Sequence, residues 1–152
     1  MKIDRVTGGP VVNESMETSV PGIFACGNVV HVHDVVDFVT GESRRAGACA
    51  ALYANGGLQS ESAAMNVTVS GGLTYCVPHK IRHSAMPDKM DLFMRVEDVY
   101  QKAAIVVSNR GNEITRFKRT NLTPGEMIRL TLSKTALENA SGDVDIMLDA
   151  GI

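Results

Sequence analysis

Residues 18–34 read TSVPGIFACGNVVHVHD. A polar Thr18-Ser19 pair leads through Val20-Pro21-Gly22 into the apolar run Ile23-Phe24-Ala25-Cys26, which stops on Gly27-Asn28. Two histidines one residue apart, and then Asp34, follow. A short apolar run bounded by turn residues predicts a buried strand. A helix is expected after it. Asp34 suits the N-cap, and Val35, Val36, Val39, Ala46, Cys49, Ala50 and Tyr53 recur at three- and four-residue steps, with Arg44 and Arg45 on another face. Gly47 among Ala46, Ala48 and Ala50 predicts close packing of that helix on a sheet. Upstream, RVTGGPVVNES (5–15) predicts a hairpin or paired short strands around Gly8-Gly9.

The rhythm changes after residues 54–64, ANGGLQSESAA, which read as a helix stop and a linker. Beyond them MNVTVS, LTYCVP, MDLFMRVE, AAIVVSN, EITRFKR, MIRLTLS and VDIMLDA are short and rich in β-branched residues. Gly-Gly, Pro-Asp, Asn-Arg-Gly-Asn and Thr-Pro-Gly separate several of them. SKTALENA (133–140) predicts one or two helical turns capped by Ser133. About seven short strands at this spacing predict a small β-sandwich. The expected organisation is α+β: a strand–helix unit over 1–57, a linker over 58–64 and an all-β, sandwich-like domain over 65–152.

Composition narrows the functional classes. The chain of 152 residues has 44% hydrophobic and 21% charged residues, enough apolar content for a core. A net charge of −2 gives no reason to expect a nucleic acid or an anionic membrane surface as partner. No apolar run approaches a membrane span. Three cysteines without framework spacing suit a reducing cytoplasm, the expected location.

Thr18-Ser19-Val20-Pro21-Gly22-Ile23-Phe24-Ala25-Cys26-Gly27-Asn28-Val29 resembles the second FAD-binding motif of the pyridine nucleotide–disulfide oxidoreductases, thioredoxin reductase-like enzymes among them. Arg45-Ala46-Gly47-Ala48-Cys49-Ala50-Ala51-Leu52 is similar to the Ala-Gly helix that follows the motif in that family. The resemblance covers about residues 1–57. It implies that residues 1–57 are the C-terminal part of an FAD-binding α/β domain. Gly27 would let the backbone approach the cofactor, and Asn28, where the family usually carries Asp, would bond the ribityl and pyrophosphate part of FAD beside Val29. The N-terminal turn of the helix, Val35, Val36 and Asp37, would present N–H groups to the flavin. Asn both accepts and donates, but lacks the charge-assisted bond an Asp makes. Residues 65–152 are similar to a β domain appended to such enzymes, on Tyr75-x-Val77-Pro78, Phe93-Met94-Arg95-Val96 and Pro124-Gly125-Glu126-Met127.

The family's Gly-rich βαβ element for the ADP pyrophosphate has no counterpart in this sequence, nor do its NAD(P) domain and Cys-x-x-Cys pair. The expectation is therefore the C-terminal part of an FAD-dependent, NAD(P)H-linked oxidoreductase, not catalytic alone. Its partners would be the remainder of the flavoenzyme and, in the intact enzyme, NAD(P)H. The alternative is a non-enzymatic β-sandwich module that docks a partner subunit; a zinc hydrolase built on His31 and His33 comes third. His31-x-His33 with Asp34 reads first as a solvated loop or one lining the flavin edge, since no further ligand stands nearby in sequence. Cys76, His79 and His83 offer three ligands where a structural zinc needs four, and Cys76 falls in a strand. No metal is expected. Cys26 and Cys49 read as packing residues, and Arg44-Arg45 as a solvated helix face.

Overall fold

A computed structural model describes residues 1–58 and 63–151. The linker expected over 58–64 lies largely outside the described residues. The chain is of the α+β class, with a helix α1 (Val36–Ala54) followed by a β-rich body. Its strands are β1 (Met65–Ser70), β2 (Leu73–Val77), β3 (Lys80–Ile81), β4 (Lys89–Val96), β5 (Tyr100–Asn109), β6 (Asn112–Leu122), β7 (Ile128–Ser133) and β8 (Val144–Asp149). No described helix is long and apolar enough to cross a membrane.

The strands form a five-stranded sheet ordered β3-β1-β8-β5-β6 and a three-stranded sheet ordered β2-β4-β7. All neighbours are antiparallel except β1 and β8, which run parallel. Both sheets bury side chains in one apolar cluster: Leu92 and Met94 from β4, Leu130 and Leu132 from β7, Ile105 and Val107 from β5, Ile146 and Leu148 from β8. Period-two patterning explains the register. In β7, Ile128, Leu130 and Leu132 are buried while Arg129 and Thr131 face water. The β5–β6 hairpin turns on Arg110-Gly111, both at positive φ, between the paired Asn109 and Asn112. Arg116, Lys118 and Arg119 charge the edge strand β6, which discourages pairing with another chain. Ser133 caps the 3-10 turn Lys134–Leu137 as expected, its Oγ accepting from the Ala136 N–H at 3.3 Å.

The first 35 residues depart from the sequence reading. Ile23–Cys26 is not a strand. Phe24 makes a lone bridge to Glu17, and Ile23 is 44% exposed. The pairing with residues 16–18 stops at that bridge and two backbone hydrogen bonds, too short for a strand ladder. The hairpin around Gly8-Gly9 reduces to the bridge Ile3–Pro10. Asp34 is not the helix cap: Val35 occupies the N-cap without a side-chain bond, while Asp34 Oδ2 accepts from the Met127 N–H at 2.9 Å. Nor does α1 pack closely on a sheet through the Gly47 stripe; among its alanines only Ala46 is buried, in a cluster with Val77 of β2. Of its residues only Glu42 and Ala46 are buried, Val36 is 78% exposed, and a Cβ on Gly47 would meet nothing within 4 Å.

Instead the N-terminal segment is bound to the β body through polar contacts and a second apolar cluster. Val12, Met16, Val30 and Ala46 share that cluster with Val77 of β2, and Tyr75 packs against it. The His79 N–H donates to the Val12 carbonyl at 2.9 Å, and the Val12 N–H donates to His79 Nδ1 at 3.1 Å. Asn13 bridges to Lys80 of β3. Glu14, fully buried, accepts from the Arg82 backbone N–H at 2.8 Å and from its guanidinium at 2.7 and 2.9 Å.

Candidate functional site

Gly27 is buried and left-handed, with φ at 69°, a conformation that costs any residue with a Cβ. It opens the 3-10 turn Gly27–Val29, closed by the Val30 N–H donating to the Gly27 carbonyl at 2.9 Å. Asn28 emerges exposed from that turn, and its Oδ1 accepts from the His33 N–H at 3.1 Å. Its NH2 has no hydrogen bond to the described residues. Val29, Val32, Val35 and Val36, close to it in sequence, are exposed. The N–H groups of Val36 and Asp37, at the start of α1, bond to none of the described residues, as first-turn donors do when no side chain caps them. All six residues expected at a cofactor thus lie on the turn and the helix start; Gly27 alone is buried, and Asp37 is exposed.

Arg95 holds the connecting loop. Its Nη2 donates to the Val32 carbonyl at 3.0 Å and lies 3.5 Å from Asp34 Oδ1. Beneath the loop, His31 and His33 turn inward to the same carboxylate. His31 Nε2 lies 2.8 Å from Glu42 Oε2, and His33 Nε2 lies 3.4 Å from Oε1. Glu42 Oε1 also accepts from the Gly27 N–H at 2.6 Å. The two imidazoles stand 4.2 Å apart, between the rings of Tyr75 and Phe93 on the β body. Both Nδ1 atoms are buried without a partner among the described residues.

Glu42 was not identified from sequence. The available signal was its position midway between Phe38 and Ala46 on one helix stripe, where a solvated glutamate does not belong. Burial alone pushes its pKa up. The hydrogen bond and charge of His31, the Gly27 N–H and His33 outweigh that and hold the carboxyl below its ordinary value. Burial, and then the neighbouring His31, push His33 below its ordinary value.

The remaining candidates separate. Cys76, His79 and His83 form no ligand group: His83 Nε2 meets the Lys134 carbonyl at 3.1 Å, and burial pushes the Cys76 thiol far up, leaving it inert. Arg44 is exposed as expected, but Arg45 is half-buried. Its Nη2 is unpartnered at the wall of a cavity of about 390 Å³ that Phe38, Glu42, Cys49, Phe93 and Arg129 also line. Compared with family models, curated proteins and solved structures, the chain matches none.

His79 makes a pH test. Burial pushes its pKa below the ordinary 6.5 despite the opposing charge of Asp4. The folded state then binds fewer protons than the unfolded one near pH 6. Stability should be full above about 6.5 and decline as pH falls from there through the lower folded-state value. Urea midpoints between pH 7 and 5 should drop less steeply in His79→Gln than in wild type. His33 contributes in the same direction, so the slope shrinks without vanishing. Equal slopes would remove His79 from the account.

Proposed function

We propose that the chain is the C-terminal part of an FAD-dependent, NAD(P)H-linked oxidoreductase, with residues 1–57 holding one edge of the cofactor. The observation that supports this reading is the left-handed turn at the buried Gly27, which packs near the start of α1 and carries the exposed Asn28. The Asn28 NH2 and the N–H groups of Val36 and Asp37 bond to none of the described residues, and Val29, Val32, Val35 and Val36 are exposed. An apolar surface that also offers free donors suits a flat, largely apolar ring with an anionic tail.

FAD supplies the hydride chemistry when bound. The residues of this chain bind and orient. Asn28 donates to a ribityl or pyrophosphate oxygen, Gly27 keeps the approach open, and the first turn of α1 offers N–H groups to a carbonyl edge. The valines exclude water from that edge. With one edge of the site only, this chain alone is expected to hold FAD weakly or not at all, since one edge returns little after association costs.

The test is FAD titration into the folded apo form of the intact flavoenzyme. Asn28→Ala should leave a cofactor group unsatisfied at about 1–3 kcal/mol, a roughly five- to hundred-fold loss of affinity. Asn28→Asp should be milder, because it keeps the acceptor for the His33 N–H and can accept a cofactor hydroxyl. If Asn28 serves only as the turn clasp seen in its bond to His33, Ala lowers the melting temperature and leaves the affinity unchanged.

A further inference from the structure

We propose that His31, His33 and Glu42 form a binding site for one divalent transition ion of the zinc class. None of the three is among the residues assigned to FAD, so the proposal stands apart from the flavin reading. Each offers a ligand atom, and these atoms all lie within 4.8 Å of one another. A tetrahedral ion with ligands at about 2.0–2.2 Å spaces them roughly 3.3–3.5 Å apart. The two imidazole–carboxylate separations, 2.8 and 3.4 Å, lie at or just inside that spacing. Opening the closer pair by a fraction of an ångström, and setting the two imidazoles, whose ligand atoms lie within 4.8 Å, to the same spacing, admits the ion. The local fold supplies this geometry. An extended His-x-His segment turns two rings to one side, and α1 brings Glu42 against them from the other.

A purely hydrogen-bonded cluster is the rival account, and it is incomplete. Glu42 engages one nitrogen of each ring, and both Nδ1 atoms remain buried without a partner. Buried polar atoms are seldom left so, because each costs the desolvation of an unmade bond. With an ion on Nε2, each Nδ1 carries the ring proton, and a second-shell water is the species that bonds it. Two imidazoles and one carboxylate suit zinc, cobalt or nickel. Calcium and magnesium want six or more oxygens. Three protein ligands leave a fourth position for water, as open zinc sites have. The ion would also fasten the 31–33 loop to α1.

Metal-stripped full chain titrated with Zn²⁺ by calorimetry should bind one equivalent and melt at a higher temperature when loaded. His33→Ala, chosen because its bond to Glu42 is the longer, should weaken Zn²⁺ at least about 100-fold, since even outer-shell partners of a metal are worth 10–100-fold. Cys26→Ser/Cys49→Ser should bind as wild type. Should His33→Ala fail to fold, X-ray absorption of the zinc-loaded wild type decides: two imidazoles with oxygen and no sulfur support the site. Absence of stoichiometric binding, binding that survives His33→Ala, or sulfur in the ligand shell would overturn it.

Discussion

Glu14→Ala is expected to cost about 3–5 kcal/mol of stability, the usual loss when one partner of a buried ion pair is removed. Glu14 is fully buried and Arg82 is 3% exposed. The carboxylate accepts the Arg82 backbone N–H, Nε and Nη2, and Ser15 Oγ donates to it at 3.0 Å. Glu17 Oε2 stands 3.7 Å from Arg82 Nη1 and softens the loss without replacing those bonds. Alanine therefore removes the acceptor of the buried Arg82 backbone N–H and of two guanidinium N–H groups, so much of their desolvation cost is no longer offset. Glu14→Leu/Arg82→Met should recover much of the stability, because an apolar pair of similar volume removes the buried charges. Equilibrium urea unfolding at constant m-value measures both. A loss below about 1 kcal/mol in the single variant would mean that the pair contributes no more than a surface contact. It would also mean that the N-terminal segment is held to the β body by its apolar cluster and its other hydrogen bonds, those of Val12 with His79 among them.

That pair shows where sequence reading stops. Seven of the strands were legible because each is a short run rich in β-branched or apolar residues between turn residues; the two-residue β3 was not read. Arg110-Gly111 states its hairpin outright, and Ser133 its cap. Glu14 and Arg82 are 68 positions apart, and no local period connects them. The apolar run Ile23–Cys26 misled for the converse reason. Local composition resembles that of a strand, but strand formation depends on a neighbour, and the one segment paired with it, residues 16–18, contributes a single bridge. At the candidate site the histidine pair and Asn28 were legible as polar residues clustered after a glycine. Glu42 was not. A glutamate inside a helix is ordinarily solvated, and only its place on the Phe38–Ala46 stripe marks it as buried. Arg45 escaped similarly: the sequence shows its charge, and only packing shows that its Nη2 lacks a partner.

The glycines near the N-terminus separate two reasons for having no side chain, and they give the second large effect. Gly8 sits at φ 72° with nothing within 4 Å of where a Cβ would stand. Gly8→Ala should therefore cost only the left-handed penalty, about 1–2 kcal/mol. Gly9 is buried at ordinary φ, but a Cβ there would lie 2.2 Å from the Val30 carbonyl oxygen and 2.4 Å from that of Val29. Those are backbone atoms, so no rotamer change relieves the contact. The turn carrying Asn28 and His31 must move away from residues 8–10, or the Asp4–Gly9 hydrogen bond, 2.9 Å long, must open. Overpacking of this kind costs about 3 kcal/mol or more, so Gly9→Ala should unfold at clearly lower urea than Gly8→Ala. The damage should also reach the site. Displacing Val29 and Val30 shifts His31 relative to Glu42, and the folded Gly9→Ala chain should bind Zn²⁺ more weakly than Gly8→Ala. If the order is reversed, with Gly8→Ala the more damaging, then backbone conformation rather than close approach governs this corner. The 27–33 turn would then not rest on Gly9.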